Sequence, residues 1–407
     1  MNELLLFALL FVAIGIGWLL GRRGSGRASV SPELPSQYYK GLNYLLDGRP
    51  DGAIDAFVTA LEVNSETLET HIALGNVLRK KGEVDRAIRI HQNLLARPSL
   101  PRAQVHQAHL ELARDYISAG LLDRAERLLL DLVDESRGLR RTAQGHLLEI
   151  YQSEREWQQA IDIALKLVPK KSLLGGSVPT DSANGGQEVT LVLAHYYCEL
   201  AARKIARGKL QQAHKLLQQA LDSDKQCVRA SIMTGDVEYR SGHYKLAINA
   251  LRKVRTQDPG YICETVGLLR QCHRELGDEG SLKPYLEECL SAYPSATLML
   301  AVADDVRQTQ GNHEAGEFLS GQLAIQPSLR GLVRLIGLQM EHTEGEARDN
   351  LGLLQGLASR LLADRYAYRC DHCGFAGKHL HWLCPSCKAW GTMKTIRDTG
   401  SEEWNHP

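Results

Sequence analysis

The sequence predicts an all-α protein: a solenoid of stacked helical hairpins with a membrane-spanning helix at its N-terminus and a small four-cysteine module at its C-terminus. Three observations predict this architecture. Small residues recur with a fixed period, an uncharged apolar stretch runs from Leu4 to Leu20, and two Cys-x-x-Cys units lie near the C-terminus. The chain, 407 residues long, therefore contains more than one folding unit.

Composition limits the classes of partner and compartment. Lys plus Arg and Asp plus Glu number 48 each, so no global basic field is present to attract nucleic acid. Single cysteines at helical spacing are most often small buried apolar residues, and free thiols of this kind fit a reducing compartment. Five cysteines of the helical region belong to this class: Cys198, Cys227, Cys263, Cys272 and Cys289.

Residues 1–21 are predicted to be a transmembrane anchor. Leu4–Leu20 reaches the lower length limit for crossing a bilayer. Three arginines follow it (Arg22, Arg23 and Arg27), which by the positive-inside rule places the rest of the chain in the cytoplasm. A cleaved signal peptide is the alternative, but its leading positive charge and its A-x-A cleavage site are missing. We expect a single-pass membrane protein, with residues 22–35 forming a flexible tether.

Residues 36–168 are predicted to form four helix-turn-helix repeats. Small residues keep their slots from one repeat to the next: Gly41, Gly48 and Ala53 recur, each after the same interval, as Gly75, Gly82 and Ala87. This interval is typical of tetratricopeptide repeats, whose hairpins bury their apolar faces only by stacking. An acid occupies the same position near the start of the second helix in three repeats, namely Asp51, Asp85 and Asp123.

The array is predicted to resume after a break. Residues 169–187 are rich in Pro, Gly, Ser and Asn, and we expect a polar surface loop there. Residues 188–364 are predicted to be further repeats, because Ala213 and Ala247 restore the interval of the first repeats. Pro259, Pro294 and Pro327 are expected to end successive hairpins, and two helices within Leu329–Leu362 to cap the stack.

An array of this kind binds other proteins in its concave groove, and the repeat slots give candidates for that contact. Asn76, Arg79 and Arg114 are expected to face the groove of the first repeats. The alternative is that they are ordinary solvated surface residues. The array contains no phosphate-binding loop, nucleophile elbow or zincin helix, so we expect binding and not catalysis.

Residues 365–397 are predicted to bind one metal ion, and residues 398–407 form a tail. Cys370, Cys373, Cys384 and Cys387 form two Cys-x-x-Cys units that together make a tetrahedral sulfur site. Four thiolates close the coordination shell, so the nearby histidines are interpreted as surface residues: His372, His379 and His381. Aromatic side chains are expected to pack around this small module: Phe375, Trp382 and Trp390.

The identity of the metal stays open between iron and zinc, because tetrahedral sulfur suits both. Nucleic-acid binding by the module is disfavoured. Five basic residues and one acid lie between Tyr366 and Arg397, and a divalent metal with four thiolates adds two negative charges, which leaves a weak positive charge. Electron transfer is also disfavoured, since no second redox cofactor is indicated. A structural or docking role remains.

The chain resembles the lipopolysaccharide assembly protein B family over nearly its whole length. The resemblance lies in the anchor followed by Gly-Arg-Arg, in the repeat sequences His71-Ile-Ala-Leu-Gly-Asn76 and Gly82-Glu-Val-Asp-Arg-Ala-Ile-Arg-Ile-His-Gln92, and in the C-terminal sequences Tyr368-Arg-Cys-Asp-His-Cys-Gly-Phe375 and Trp382-Leu-Cys-Pro-Ser-Cys-Lys-Ala-Trp390. The polar insert near 172–187 and the tail depart from the family pattern. The resemblance implies that the C-terminal module is rubredoxin-like, although its ten-residue gap between the two Cys-x-x-Cys units is short for a rubredoxin.

The resemblance also implies a function. Members of this family sit in the inner membrane of Gram-negative bacteria and promote destruction of the lipid A deacetylase LpxC by the membrane protease FtsH. A lipopolysaccharide-sensing inner-membrane protein is expected to oppose them. The alternatives are a scaffold that assembles lipopolysaccharide enzymes, an iron redox protein, and a DNA-binding ribbon.

Overall fold

The computed structural model describes residues 39–41, 43–44, 47, 52, 56, 68–96, 100–168, 182–183, 187–363 and 365–396. The predicted anchor, the tether, most of the first repeat and the tail lie outside these residues. Within them, no helix has the length and apolarity needed to cross a bilayer. The chain divides into two compact units, Met1–Leu128 and Leu129–Pro407, with the boundary inside one helix.

The first unit contains the predicted second repeat as a helical hairpin. Besides a few helical residues between 39 and 56, this unit has α1 (Leu68–Lys80), α2 (Val84–Leu95), α3 (Arg102–Ser118) and the beginning of α4 (Leu122–Glu135). Gly75 is small because α1 and α2 touch there: a Cβ at this position would collide with the ring of His91. Gly82, at φ +85°, makes the turn into α2 in the left-handed region that favours glycine. The small-residue pattern thus marks a close helix approach and a tight turn.

The second unit continues the array of hairpins. After the rest of α4 come α5 (Arg140–Ser153), α6 (Trp157–Leu167), α7 (Val189–Ala206), α8 (Leu210–Ser223), α9 (Val228–Arg240), α10 (Tyr244–Gln257), α11 (Val266–Glu275), α12 (Leu282–Ala292), α13 (Ala296–Gln310), α14 (Asn312–Ile325), α15 (Leu329–Glu341) and α16 (Glu346–Ala363). Ala213 and Ala247, the residues that restore the repeat interval, are fully buried. The predicted terminal pair of helices is confirmed as α15 and α16.

Three short segments interrupt the helices of this unit, one of them a single 3₁₀ turn, Glu279–Ser281, between α11 and α12. A 3₁₀ helix, Pro259–Glu264, separates α10 from α11. The predicted polar loop is described only near its end, where β1 (Ser182–Ala183) pairs antiparallel with β2 (Gln187–Glu188). The sequence predicts only an irregular loop here, so this strand pair is an addition to the prediction. The second strand, β2, leads directly into α7.

The C-terminal module is a three-stranded antiparallel ribbon. Its strands are β3 (Tyr368–Cys370), β4 (Ala376–Gly377) and β5 (Met393–Thr395), in the order β4-β3-β5. Arg369 lies opposite Ala376 on one side and opposite Lys394 on the other. A small apolar cluster of Cys370, Cys384 and Met393 fills the ribbon, and Phe375 packs against it as the sequence predicts.

Candidate metal centre and its seat on the helical array

The four predicted thiols converge in the ribbon. The Sγ atoms of Cys370 and Cys387 are 3.8 Å apart, and those of Cys373 and Cys384 are 3.7 Å apart. All four sulfur atoms lie within 4.8 Å of one another. A tetrahedral ion with metal–sulfur bonds of about 2.3 Å needs sulfur atoms about 3.8 Å apart. The donor set and its spacing therefore fit a single tetrathiolate-bound ion, iron or zinc.

The thiols differ in how readily they ionise. A hydrogen bond from the Phe375 N–H lowers the pKa of Cys373 to about 6. Burial would raise the pKa of Cys370, but its hydrogen bonding with Thr392 and with the neighbouring backbone outweighs burial and lowers this pKa. Burial raises the pKa of Cys384, and raises that of Cys387 to about 12. A bound metal would have to hold the second pair as thiolates, so metal binding and ribbon folding are coupled.

The two cysteine turns are built on the same backbone geometry. Gly374 follows the first Cys-x-x-Cys unit with φ +78°, and Lys388 follows the second with φ +58°. A lysine in the left-handed region is strained by about 1–2 kcal/mol relative to glycine. The three histidines near the site are exposed, as the sequence predicts for residues that are not ligands.

Trp390 fixes the ribbon to the helices. Its side chain is 1% exposed, and its indole Nε1–H donates a 2.8 Å hydrogen bond to Oε1 of Gln152 in α5. The ring stacks on His195 of α7, with ring centres 4.9 Å apart, and meets Trp157 of α6 edge-on at 6.2 Å. Trp390 therefore fills a socket that three helices of the array form.

Trp382 makes a second contact with the array. It stacks on Tyr261 of the 3₁₀ helix at 5.2 Å between ring centres. The Arg229 guanidinium of α9 lies 5.9 Å from this ring and 5.8 Å from that of Trp390, within range of a cation–π interaction with both. Arg229 Nη1 also lies 2.8 Å from Glu199 Oε1. The expectation that Trp382 and Trp390 pack around the ribbon itself is corrected: they pack on helices, because the ribbon is too small to cover them.

The last strand of the ribbon is held by the 3₁₀ helix. The Tyr261 hydroxyl donates to the Gly391 carbonyl at 2.7 Å, and Thr395 Oγ1 donates to the Gly260 carbonyl at 3.2 Å. Tyr368 donates to Glu264 Oε1 at 2.9 Å. These contacts join residues more than a hundred positions apart in the sequence, so no local pattern predicts them.

A cleft of about 850 Å³ opens between the ribbon and the helices. The ribbon contributes His381, Trp382, Pro385, Lys388 and Trp390; the helices and their turns contribute Glu149, Gln152, Arg155, Trp157, Glu199 and Arg229. Charges of both signs therefore line the cleft beside three tryptophans. Arg155 and Lys388, the non-glycine residues with positive φ in the described part of the chain, both lie on its wall.

The three predicted groove residues of the first unit lie together in one network. Arg79 donates to Asn76 Oδ1 at 2.7 Å and to Asp115 Oδ1 at 2.7 Å, and it also pairs with Glu111 at 2.9 Å. Arg114 pairs with the other carboxylate oxygen of Glu111 at 2.7 Å. The Asp115 and Glu111 side chains are 0% and 3% exposed. Arg79 thus neutralises buried carboxylates, while Arg114 exposes a third of its side chain (34%).

Sequence reasoning missed the buried residues that complete these sites. Asp115 accepts from Arg79 and also lies 2.5 Å from Nδ1 of the buried His91. In the second unit, Gln152 accepts from the Tyr196 hydroxyl at 3.0 Å as well as from Trp390. The sequence did carry one signal for these residues: they are polar residues on the face of a helix that packs against its neighbours. A buried polar group requires a partner, so each such residue predicts a hydrogen bond.

Comparison with known families agrees with both the repeats and the ribbon. A family model for the rubredoxin metal binding domain matches residues 368–395, and tetratricopeptide-repeat models match residues 70–102 and 198–262. The chain is 37% identical over 396 residues to lipopolysaccharide assembly protein B of Escherichia coli, covering 97% of this chain and 98% of that protein. The protein of the same name from Haemophilus influenzae is 33% identical over 403 residues, with 96% and 98% covered. The chain therefore belongs to the lipopolysaccharide assembly protein B family.

Proposed function

We propose that this protein is a non-enzymatic adaptor of the inner membrane that promotes FtsH-dependent proteolysis of the deacetylase LpxC, through protein contacts of its repeats and its metal module. The observation that carries the proposal is the seating of the ribbon on the array. Because Trp390 and Trp382 are fixed to helices of the same unit, ribbon and helices offer one composite surface to a partner.

The cleft between ribbon and helices has the composition of a protein-binding surface. Tryptophan and arginine dominate the binding energy of protein interfaces, and here Trp382, Arg229 and Arg155 line one cleft. Acids and bases both line it, which suits recognition of a polar protein segment and does not suit a phosphate backbone. The metal in this proposal is structural: it holds the ribbon in the shape that its seat requires.

The anchor predicted at Leu4–Leu20 gives this surface its place of action. Confinement to the membrane would raise the effective concentration of the adaptor near a membrane protease. A lipopolysaccharide-sensing membrane protein could then oppose the adaptor within the same bilayer. The contacts proposed for Asn76, Arg79 and Arg114 in the first unit would add to those of the cleft.

The test is the half-life of LpxC in cells that depend on this protein. Charge reversal of the cleft wall, Arg155→Glu with Lys388→Glu, should lengthen that half-life several-fold while the protein remains folded and metal-loaded. The matched control is Arg274→Glu, an arginine of α11 with 63% of its side chain exposed outside the cleft. An unchanged half-life in the cleft variant, with lipopolysaccharide enzymes still captured by the protein, would reject the adaptor and favour the assembly scaffold.

A further inference from the structure

We infer that the outer face of α16 is a self-association surface, on which a second copy of this chain packs with its own α16 antiparallel. The inference starts from four exposed leucines. Leu353, Leu354, Leu357 and Leu361 are 64%, 52%, 46% and 62% exposed. At 100° per residue they fall within an arc of about 100° on the helix, so they form one continuous stripe.

The stripe lies on the face of α16 that the described part of the chain leaves exposed. The opposite face packs on α15: Ala358 is 7% exposed, and Gln355 Nε2 donates to the Val333 carbonyl at 3.4 Å. Terminal hairpins of repeat arrays normally present a polar outer face to water. Other exposed leucines of the described helices, such as Leu246 on α10, are 54% exposed but stand singly. A stripe of four on a terminal helix indicates a surface that a partner covers.

Charge identifies a second copy as the occupant. Asp349 and Arg360 lie about 20° apart around the helix, on the same edge of the stripe and three turns apart. When two copies of a helix pack antiparallel about a two-fold axis, the same edge of the stripe in one copy faces that edge in the other. An axis near Leu354 would therefore set Asp349 of each copy against Arg360 of the other. The same arrangement places Leu353 and Leu357 across the axis from each other and opposes the two helix dipoles.

A lipid surface fits the stripe less well. Helices that lie on membranes carry Lys and Arg along their polar face. The first turn of α16 instead carries Glu346 and Asp349 beside a single Arg348, and Arg360 is the basic residue of its last turn. A single 18-residue helix offers less area than the ~800 Å² per partner of a stable interface, so we expect a dimer of micromolar strength, reinforced when both copies share one bilayer.

Sedimentation equilibrium of the full chain in density-matched detergent tests this inference, independently of LpxC turnover. The wild type should dimerise with a Kd on the order of micromolar, and Leu353→Gln with Leu357→Gln should raise that Kd by at least about tenfold. Leu246→Gln is the matched control and should leave it unchanged. Asp349→Arg and Arg360→Asp should each weaken the dimer, and the two together should restore it.

Three results would overturn the inference. One is a wild type that stays monomeric up to about 100 μM, far above the expected Kd; the stripe would then serve another protein or a membrane. Another is a dimer whose Kd the leucine double variant leaves unchanged, which would place the contact elsewhere, for example in the anchor. The last is a double charge reversal that dimerises no better than the single ones, which would exclude the antiparallel pairing.

Discussion

Trp390 of the ribbon donates its indole N–H to the side-chain oxygen of Gln152, 238 residues earlier in the chain, at 2.8 Å. Both side chains are buried, and the same oxygen accepts the hydroxyl of Tyr196. One amide of α5 therefore satisfies two donors, one from the array and one from the ribbon. This shared acceptor links the metal module to the helices more specifically than apolar contact does.

Replacement of Gln152 by leucine should weaken the seat of the ribbon. It leaves two buried donors without their acceptor, and each unsatisfied group costs about 1–3 kcal/mol, so the free energy of unfolding of the second unit should fall by roughly 2–4 kcal/mol. Urea unfolding followed by tryptophan fluorescence measures this change. Gln158→Leu, at an exposed position on α6, is the control and should change it by less than about 0.5 kcal/mol. An equal effect of both substitutions would contradict the account.

Loss of one thiol should abolish metal binding. Cys384→Ser removes a ligand at a buried position, and the protein should carry less than one metal ion per chain by mass spectrometry. The ribbon of this variant should also become sensitive to protease. Cys263→Ser is the matched control, because that thiol lies in the helical part beside Ser295 at 3.3 Å, and it should keep one ion. Full metal content in Cys384→Ser would show that the quartet is not the site.

Substitutions at the left-handed residues of the two cysteine turns should change the stability of the ribbon in opposite directions. Lys388→Gly relieves a left-handed lysine and should stabilise the ribbon by about 0.5–1 kcal/mol, whereas Gly374→Ala should destabilise it by about 1–2 kcal/mol. No atom lies within 4 Å of a Cβ built at Gly374, so this penalty is conformational and not steric. The rate of metal loss to a chelator reports both changes. Gly321→Ala, within α14, is the control and should not change the rate of metal loss.

His195 should make the protein less stable in acid. Burial, with a smaller effect of Arg229, lowers its pKa from 6.5 to about 3, so it stays neutral in the folded protein. The unfolded chain takes up a proton below its pKa of about 6.5, so stability is lost as the pH falls from there toward 3, by about 1.4 kcal/mol per unit.

The measurement is the free energy of unfolding at pH 7 and at pH 5. His195→Phe preserves the ring stack on Trp390 but cannot titrate, so it should lose about 2 kcal/mol less than the wild type over this interval. Acid effects on other groups are common to both proteins and cancel in the comparison. Equal losses would mean that His195 is protonated, or solvated, in the folded state.

Substitutions of Arg79 and Arg114 should have different effects on the stability of the first unit, because Arg79 is a structural residue and Arg114 lies nearer the surface. Arg79→Leu removes the arginine that two buried carboxylates share, leaving Glu111 with Arg114 and Asp115 with His91, and should destabilise this unit by up to about 3–5 kcal/mol. Arg114→Ala removes a partly exposed ion pair and should have an effect of about 0–1 kcal/mol. Hydrogen exchange of α1–α3 measures both. Arg114, and not Arg79, is therefore the position at which a partner contact can be tested without unfolding the unit.

The sequence predicted the features that short-range patterns encode. The repeat interval placed Gly75, Ala213 and Ala247 at helix contacts, and the prolines separated successive hairpins where expected. The Cys-x-x-Cys units identified the metal quartet, because each pair of ligands lies on one tight turn. In both cases the determining residues are close in sequence, or repeat at a fixed interval.

Long-range polar contacts were beyond sequence reasoning. Trp390 was expected to pack around the ribbon, yet its acceptor lies on α5, and nothing near Gln152 signals a partner 238 residues away. The network around Asp115 was missed for the same reason: Arg79 lies on another helix, 36 residues earlier. The partner-binding role predicted for the three groove residues stays a prediction. The network gives Arg79 a structural role in addition.

The central claim, that the protein is an adaptor for proteolysis, is tested most directly by degradation of purified LpxC by FtsH in liposomes. We predict that co-reconstitution of the full chain accelerates the loss of LpxC several-fold, and that the Arg155→Glu, Lys388→Glu protein does not. An LpxC degradation rate that is the same with and without the full chain would contradict the account.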